Sequence, residues 1–164
     1  ALQHHYNSLA VFKIPDNTFE VLADEWVVLL DDIQDPGNMG TIIRTCDWFG
    51  IQKIICSDGC VDAYNPKVVQ ASMASICSIQ IQEADLETII AENKLPVYGA
   101  VLNGKNYHEQ SFTEKGFILI GNEGHGINKS LQEKITYPIT IPKKGKAESL
   151  NAAIATALIL DKLV

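Results

Sequence analysis

Residues 26–33 read WVVLLDDI, a continuous apolar run of strand length that ends in acidic residues. The turn sequence DPGN follows at residues 35–38, and a helical spacing of apolar residues comes after it, with Gly50 as a stop signal. The apolar residues at positions i, i+3, i+4 and i+7 of that spacing are Met39, Ile42, Ile43 and Cys46. A buried strand, a short turn and an amphipathic helix predict one βα unit of a parallel sheet.

The same alternation continues along the chain. Further strand-like runs cover residues 53–57, 96–102, 116–121 and 137–142. Helical patterns cover residues 66–75, 84–93 and 149–163, and the last of these has an apolar face made of Leu150, Ile154, Ala157 and Leu158. We therefore expect one α/β domain over residues 23–164, with a mainly parallel sheet and helices on both faces. Residues 1–22 are interpreted as a lead that follows a missing upstream segment.

Composition and charge narrow the class of protein. The chain has 164 residues, 46% of them hydrophobic, and no apolar run approaches the roughly 18 residues of a membrane span. The net charge of −7 argues against a chain that simply wraps nucleic acid. Residues 1–100 carry five basic and fourteen acidic side chains, whereas residues 101–164 carry eight basic and six acidic ones. We expect no membrane partner, and an anionic partner would meet the C-terminal part.

The cysteine pattern favours free thiols over a metal site. The four cysteines form no C-x-x-C pair and have no histidine at zinc spacing; they are Cys46, Cys56, Cys60 and Cys77. Half-buried thiols without partners are typical of a reducing compartment. The sequence therefore predicts a cytoplasmic protein without a bound metal.

Ligands of open α/β sheets bind where strands end and helices begin, and three segments of this chain lie at such junctions. The first, residues 35–40, is glycine-rich and opens a helix, which suits an anion but by itself is more typical of an ordinary turn and helix cap. Arg44 lies roughly opposite the apolar stripe of that helix and points either to solvent or into a site. It is the single arginine among 13 basic residues, which suggests that the forked N–H donors of a guanidinium are needed at this position.

The second and third junctions leave their roles open when read alone. Residues 121–127 (GNEGHGI) let a backbone approach a ligand closely, and Glu123 could either orient Arg44 or be a solvated acid. Residues 141–151 (IPKKGKAESLN) join a strand to the last helix, where Ser149 is either the helix cap or a site residue. Asn151, read as lying just inside the helix, is unfavourable there and so indicates a purpose. The lysines of this segment either form a solvated loop or face a phosphate.

Taken together, the three segments resemble the motifs of the SpoU-type (TrmH-like) RNA ribose 2′-O-methyltransferases of the SPOUT superfamily. The motif N-x-G-x-x-x-R is matched by residues 38–44, and G-x-E-x-x-G is matched by residues 121–126. The motif I-P-x-x-G-x-x-x-S-L-N is matched by residues 141–151. Order and spacing both fit, and the resemblance runs from about Trp26 to the C-terminus.

That resemblance implies a fold and a cofactor. The family fold ends in a deep C-terminal trefoil knot, which forms a pocket for S-adenosylmethionine. The positions that match the family's cofactor contacts are Gly121, Ile141 and Leu150, with Leu102 and Gly104 lining the same pocket. Family members are homodimers whose active site is built at the subunit interface, so we expect a homodimer here.

The resemblance also implies an activity: methyl transfer to a ribose 2′-hydroxyl of structured ribosomal or transfer RNA. The matching catalytic positions are Asn38, Arg44, Glu123, Ser149 and Asn151. The family assigns hydroxyl activation to the arginine, but a guanidinium is a poor base, so we expect Arg44 to bind the adjacent phosphate or the developing alkoxide. Asn38 and Glu123 would hold the guanidinium. Ser149 and Asn151 would shape the site near the ribose and the cofactor.

Few residues depart from the family pattern. Lys143 stands where many relatives have an apolar residue, and a small N-terminal RNA-binding domain that many relatives carry is missing from these 164 residues. Two alternatives remain at this stage: a knotted methyltransferase that acts on a base, and a non-catalytic RNA-binding or dimerisation module that retains the fold. Arg44 together with the Ser149-Leu150-Asn151 triplet favours the ribose-modifying enzyme.

Overall fold

The computed structural model describes Val11, residues 13–14 and residues 18–163. Within this part of the chain six strands form one parallel sheet: Val27–Leu30 (β1), Lys53–Cys56 (β2), Gln80–Glu83 (β3), Val97–Asn106 (β4), Phe117–Ile120 (β5) and Tyr137–Thr140 (β6). Their order across the sheet is β3-β2-β1-β5-β4-β6. The helices are Pro36–Trp48 (α1), Pro66–Ser72 (α2), Leu86–Asn93 (α3), Lys129–Gln132 (α4) and Ala152–Asp161 (α5), with a 3₁₀ turn at Ser75–Cys77.

Helices cover both faces of the sheet, as the sequence predicted. Val28 and Leu30 of β1 belong to a buried cluster with residues of α1, α2 and α5. Val27 and Leu29 face the other way and pack with residues of α3 and α4. Successive strand residues point to opposite faces, so a strand covered on both sides must be apolar throughout. The central strands β1 and β5 are accordingly buried at every residue.

Gly40 sets the distance between α1 and α2. A Cβ atom at this position would lie 2.5 Å from the Cβ of Ala71 and 2.7 Å from the carbonyl oxygen of Val68. The motif glycine therefore allows the two helices to pack against each other. The predicted helical stripe of α1 is confirmed, since all four of its residues are fully buried: Met39, Ile42, Ile43 and Cys46.

The last helix differs from its prediction. It begins at Ala152 rather than at residue 149, because Asn151 caps it by accepting hydrogen bonds from the backbone N–H groups of Ala153 (3.0 Å) and Ile154 (3.2 Å). The predicted apolar face is wrong, since Leu150 and Ile154 are exposed. The buried residues of α5 are instead Ala152, Ala153, Thr156, Ile159 and Leu160.

The predicted lead at residues 1–22 lies mostly outside the described residues. Of its described part, Phe19 donates its backbone N–H to Gln82 of β3 (3.5 Å), and the Lys53 ammonium lies 5.3 Å from the Phe19 ring centre. These contacts place the segment against the β2–β3 side of the sheet. Among the described residues, no helix has the length and apolar character needed to cross a bilayer.

Candidate active site

The first motif begins in the first turn of α1, shortly after the carboxyl end of β1. Asp35 caps α1: its carboxylate accepts a hydrogen bond from the backbone N–H of Asn38 (2.7 Å), and Pro36 occupies the first helical turn. The Asn38 side-chain amide, in the first turn of α1, makes its hydrogen bonds outside the helix, with Glu123 and Asn151.

The second motif forms a tight loop after β5. The backbones of Asn122 and Gly126 pair with each other through two hydrogen bonds of 3.2 and 2.9 Å. Gly126 has φ +75°, and a Cβ on Gly121 would lie 2.4 Å from the Gly126 carbonyl carbon. The two glycines therefore let the loop fold back on the strand end. This turn presents Glu123 toward α1.

A single hydrogen-bonded junction joins the three motifs. The Asn38 side-chain N–H donates to the Glu123 carboxylate. The Asn38 side-chain oxygen accepts from the Asn151 amide at 2.8 Å. The Asn151 oxygen in turn caps α5, so each part of that amide has a definite partner. Glu123 lies 85 positions from Asn38 in the sequence and Asn151 lies 113 positions from it, yet both are hydrogen-bonded to its side chain. These bonds determine the orientation of all three side chains.

The interpretation of Asn151 as a residue inside the helix was wrong. It is the N-cap, a position where asparagine is among the favoured residues. Its purpose is nevertheless a double one, since the same side chain caps the helix and donates to Asn38. Ser149, the other candidate cap, is exposed and lies before the helix.

The structure places Arg44 away from this junction. Among the described residues, its guanidinium makes no ion pair or hydrogen bond, and the residue is exposed as the helical pattern predicted. Asn38 and Arg44 are six helical positions apart, which separates them by about 9 Å along the axis and about 120° around it. Within one chain, Asn38 thus bonds to Glu123 and does not hold the guanidinium.

The predicted cofactor positions cluster at the carboxyl ends of three neighbouring strands. Leu102 and Gly104 lie in β4, Gly121 follows β5, and Ile141 follows β6. Leu150 lies in the loop that leads to α5 and is 43% exposed. Residues 142–150 are exposed throughout, including Lys143, Lys144 and Lys146. The predicted cofactor positions therefore lie at neighbouring strand ends and in the loops after them, beside an exposed basic segment.

Sequence reasoning missed a polar contact that holds the second motif to β1. The His125 imidazole lies 3.0 Å from the Asp32 carboxylate, and the Asn122 amide donates to the Asp32 carbonyl at 2.8 Å. Asp32 has φ +59°, a left-handed conformation that aspartate adopts more readily than most residues. No sequence signal links positions 32 and 125, because the pairing depends on β1 and β5 being neighbours.

An open cleft of about 1020 Å³ lies on the other side of this loop, at the carboxyl ends of β1 to β3. Acidic residues line it, namely Asp31, Asp58, Glu83, Asp85 and Glu87. None of the ten predicted site residues is among its lining residues. Five acidic side chains against one lysine, Lys129, disfavour a phosphate backbone there, so the candidate site is the edge formed by β4, β5 and β6 rather than this cleft.

The four cysteines are free thiols with different environments. Hydrogen bonding from the Cys56 thiol lowers the pKa of half-buried Cys60 to about 7, although burial opposes the shift. Burial raises the pKa of Cys46. The pKa of Cys56 is also raised, mainly by its hydrogen bond with Cys60 and in second place by burial. Among the described residues, no group of three or more His, Cys, Asp or Glu side chains is placed to hold a metal ion.

Comparison with known proteins identifies the family. A model of the SpoU rRNA Methylase family matches residues 25–161, and the chain belongs to this family. It is 38% identical over 141 residues to the 23S rRNA (guanosine(2553)-2′-O)-methyltransferase RlmP of Bacillus subtilis, covering 84% of this chain and 57% of that protein. It is 31% identical over 169 residues to the 23S rRNA (uridine(2479)-2′-O)-methyltransferase of Streptomyces viridochromogenes, covering 95% and 59%.

Solved structures agree with this assignment. The AdoMet-bound rRNA methyltransferase from Sinorhizobium meliloti matches with a TM-score of 0.81 and 34% identity, over 86% of this chain and 56% of that one. The SpoU methyltransferase AviRb from Streptomyces viridochromogenes, in complex with AdoMet, matches with a TM-score of 0.84 and 29% identity, over 92% and 64%. The family prediction is confirmed. The chain spans between half and two thirds of the length of these relatives.

Proposed function

We propose that this chain is the catalytic domain of a cytoplasmic RNA ribose 2′-O-methyltransferase that uses S-adenosylmethionine. The observation that carries the proposal is the junction of Asn38, Glu123 and Asn151. It joins three motifs, widely separated in sequence, at one edge of the sheet. The named relatives, which methylate ribose 2′-hydroxyls of 23S rRNA, support the reaction type.

The proposed cofactor pocket is the edge formed by the loops at the ends of β4, β5 and β6. The residues that would hold S-adenosylmethionine are Leu102, Gly104, Gly121, Ile141 and Leu150. Two observations fit this role. Gly104 and Gly121 have no room for a side chain, since a Cβ would lie 2.5 Å from the Pro138 backbone or 2.4 Å from that of Gly126, so the loops are close-packed. Residues 142–150, which follow Ile141, are exposed.

The deep trefoil knot belongs to the same proposal. The chain passes from β4 to β5 to β6, yet β4 lies between the other two strands. After β6, at the sheet edge, the chain returns so that Asn151 meets Asn38 at the start of α1. This strand order and the return of the chain to α1 support a knotted C-terminal part, a topology that is rare among proteins.

The chemistry follows from what a ribose hydroxyl lacks. S-adenosylmethionine supplies an already activated methyl group on its sulfonium, whereas a 2′-hydroxyl is a weak nucleophile at neutral pH. The protein must therefore align the hydroxyl oxygen and stabilise the charge that develops on it. Arg44 would bind the neighbouring phosphate or the developing alkoxide through its fork of N–H donors. Ser149 and Asn151 would shape the surface around the ribose.

A homodimer would explain why Arg44 points away from the junction of the three motifs. Its guanidinium points outward from α1, on the same side as Trp48, which is 83% exposed. Beside α1 lies α5, with Ile154 52% exposed. A second copy packed on this apolar face would cover both side chains and bring Arg44 of one protomer to the cofactor pocket of its partner. The exposed apolar side chains support this arrangement, and so does the Arg44 guanidinium, which has no polar partner in the part of the chain that the structure describes.

The proposed RNA partner fits the charge distribution. Residues 1–100 carry an excess of nine acidic side chains, and the basic loop of Lys143, Lys144 and Lys146 lies next to the proposed pocket. Phosphate groups of a structured RNA would be attracted to this loop and repelled by the acidic cleft at the other end of the sheet.

The test is to replace Arg44 with alanine. The R44A protein should bind S-adenosylmethionine within about twofold of wild type by isothermal titration, but lose about 10²–10³-fold in methyl transfer to RNA, as expected for a lost charge-stabilising donor. K67A, which removes an exposed cation from α2, is the matched control and should change neither quantity. Sedimentation should give a dimer for all three proteins. Equal loss of binding and transfer in R44A would show that Arg44 is structural and contradict the proposed role.

A further inference from the structure

Strand β4, which lies between β5 and β6, is interrupted at the proposed cofactor pocket. Ala100 pairs with Ile139 of β6, and the strand then leaves the ladder and returns with Lys105 opposite the same Ile139. Residues 101–104 are therefore pushed out of the sheet as a four-residue bulge. Leu102, at its tip, is 73% exposed. Bulges of this kind commonly re-aim residues next to active sites.

One side chain, Thr140 of β6, holds both ends of this bulge. Its hydroxyl donates to the carbonyl oxygen of Val101 at 2.7 Å and accepts from the backbone N–H of Gly104. A hydroxyl carries one donor and two acceptor positions, so it can make both bonds at once. The Thr140 carbonyl also accepts from the N–H of Tyr107 at 3.0 Å, which fixes the strand after it returns.

The bulge is packed closely against β6 at Gly104. The backbone of Gly104 lies so close to β6 that a Cβ would be 2.5 Å from the Pro138 carbonyl and 2.7 Å from the Ile139 nitrogen. Thr140 is also the residue immediately before Ile141, where the loop to α5 begins. The same residue thus borders two walls of the proposed pocket, the bulge and the loop of residues 141–150.

We infer that Thr140 is a positioning residue for S-adenosylmethionine: its hydroxyl sets the bulge of residues 101–104 in register with the loop that starts at Ile141. The inference rests on the proposed function. Thr140 does not need to touch the cofactor, because the two hydrogen bonds orient the backbone groups of the bulge that would. Without the hydroxyl, the Val101 carbonyl and the Gly104 N–H lose their partner, and the bulge gains freedom that cofactor binding must then remove.

Three variants separate this role from general stability. T140V keeps the β-branched shape and strand preference but removes the hydroxyl, while T140S restores it. T136V is the matched control: the Thr136 hydroxyl accepts from the Val97 N–H at 3.1 Å, at the opposite end of the same strand pair. T140V loses two hydroxyl hydrogen bonds to β4 and T136V loses one, but only T140V alters the bulge.

Isothermal titration with S-adenosylmethionine and S-adenosylhomocysteine gives the result directly. We expect binding about tenfold weaker in T140V, which corresponds to about 1.4 kcal/mol for the two lost hydrogen bonds. Binding in T140S should stay within about threefold of wild type and in T136V within about twofold. The KM for S-adenosylmethionine should rise in T140V while the KM for RNA stays constant. Wild-type affinity in T140V, or equal weakening in T136V, would overturn the inference. A wild-type protein that binds neither compound would overturn the proposed function and this inference with it.

Discussion

Replacing Asn38 with aspartate tests the junction of the three motifs. In the N38D protein the carboxylate can still accept from Asn151, but it faces the Glu123 carboxylate where the amide N–H donated. Two like charges about 4 Å apart cost about 4 kcal/mol at an effective dielectric of 20, and partial exposure of the site lowers this to about 2 kcal/mol. N38A loses the two hydrogen bonds without adding a charge and should cost about 1 kcal/mol.

The pH dependence distinguishes repulsion from simple loss of contact. At acidic pH one of the two carboxyl groups in N38D takes up a proton and supplies an O–H donor in place of the missing N–H. A group that binds its proton more tightly in the folded state stabilises the fold at low pH, and this stability is lost as pH rises. N38D should therefore be about 2 kcal/mol less stable than wild type at pH 8 but within about 1 kcal/mol at pH 5, whereas the deficit of N38A should not depend on pH.

The assay is urea unfolding at both pH values, together with methyl transfer at pH 8. N65D is the matched control, since Asn65 caps α2 by accepting from the Lys67 N–H, and aspartate serves there equally well. Its stability should stay close to wild type at pH 8. If N38D and N38A were equally stable at pH 8, Asn38 would not bond to the Glu123 carboxylate, and the proposed junction would be refuted.

Two further predictions concern packing and thiol chemistry. G40A should destabilise the protein by about 1–3 kcal/mol in urea unfolding, because its Cβ would lie 2.5 Å from Ala71, whereas G145A, with nothing within 4 Å, should be neutral; an unchanged G40A would show that α1 and α2 do not pack closely. Because the pKa of Cys60 is lowered to about 7, its alkylation by iodoacetamide, followed peptide by peptide by mass spectrometry, should reach half its maximal rate near neutral pH. A half-maximum near pH 9 would contradict the hydrogen bond from Cys56.

The sequence predicted the strands that are buried on both faces of the sheet, but it missed the edge strand β3. Strands such as β1 and β5 are apolar at every position, which a sequence pattern detects directly. The edge strand β3, with the sequence QIQE, was missed because only Ile81 is buried and polar residues flank it. The one-turn helix α4 was missed as well, since four residues carry no helical period.

In the candidate site, the sequence predicted the residues but not which side chains they contact. The motifs identified Asn38, Glu123 and Asn151, and the structure brings these three together. The partner of each side chain was not predictable: Asn38 was expected to hold Arg44, but on α1 the two residues point in different directions. A sequence motif identifies the residues at a junction. Which of their side chains form hydrogen bonds depends on the order of the strands across the sheet.

Thr140 illustrates the same limit. Nothing in the sequence YPITIP distinguishes its hydroxyl from that of any other threonine in a strand. The role proposed for it rests on the pairing of β4 with β6 on both sides of a bulge. Positioning residues of this kind act through backbone groups of distant segments, so a motif does not single them out.

The most direct test of the account is the chemical position of the transferred methyl group. The protein would be incubated with S-adenosylmethionine carrying a labelled methyl group and with unmodified ribosomal and transfer RNA transcribed in vitro, and the RNA then digested to nucleosides. The account predicts that the label appears in a 2′-O-methylated nucleoside and disappears in the R44A protein. Label in a base-methylated nucleoside, or no label in RNA although the protein binds the cofactor as a dimer, would contradict it.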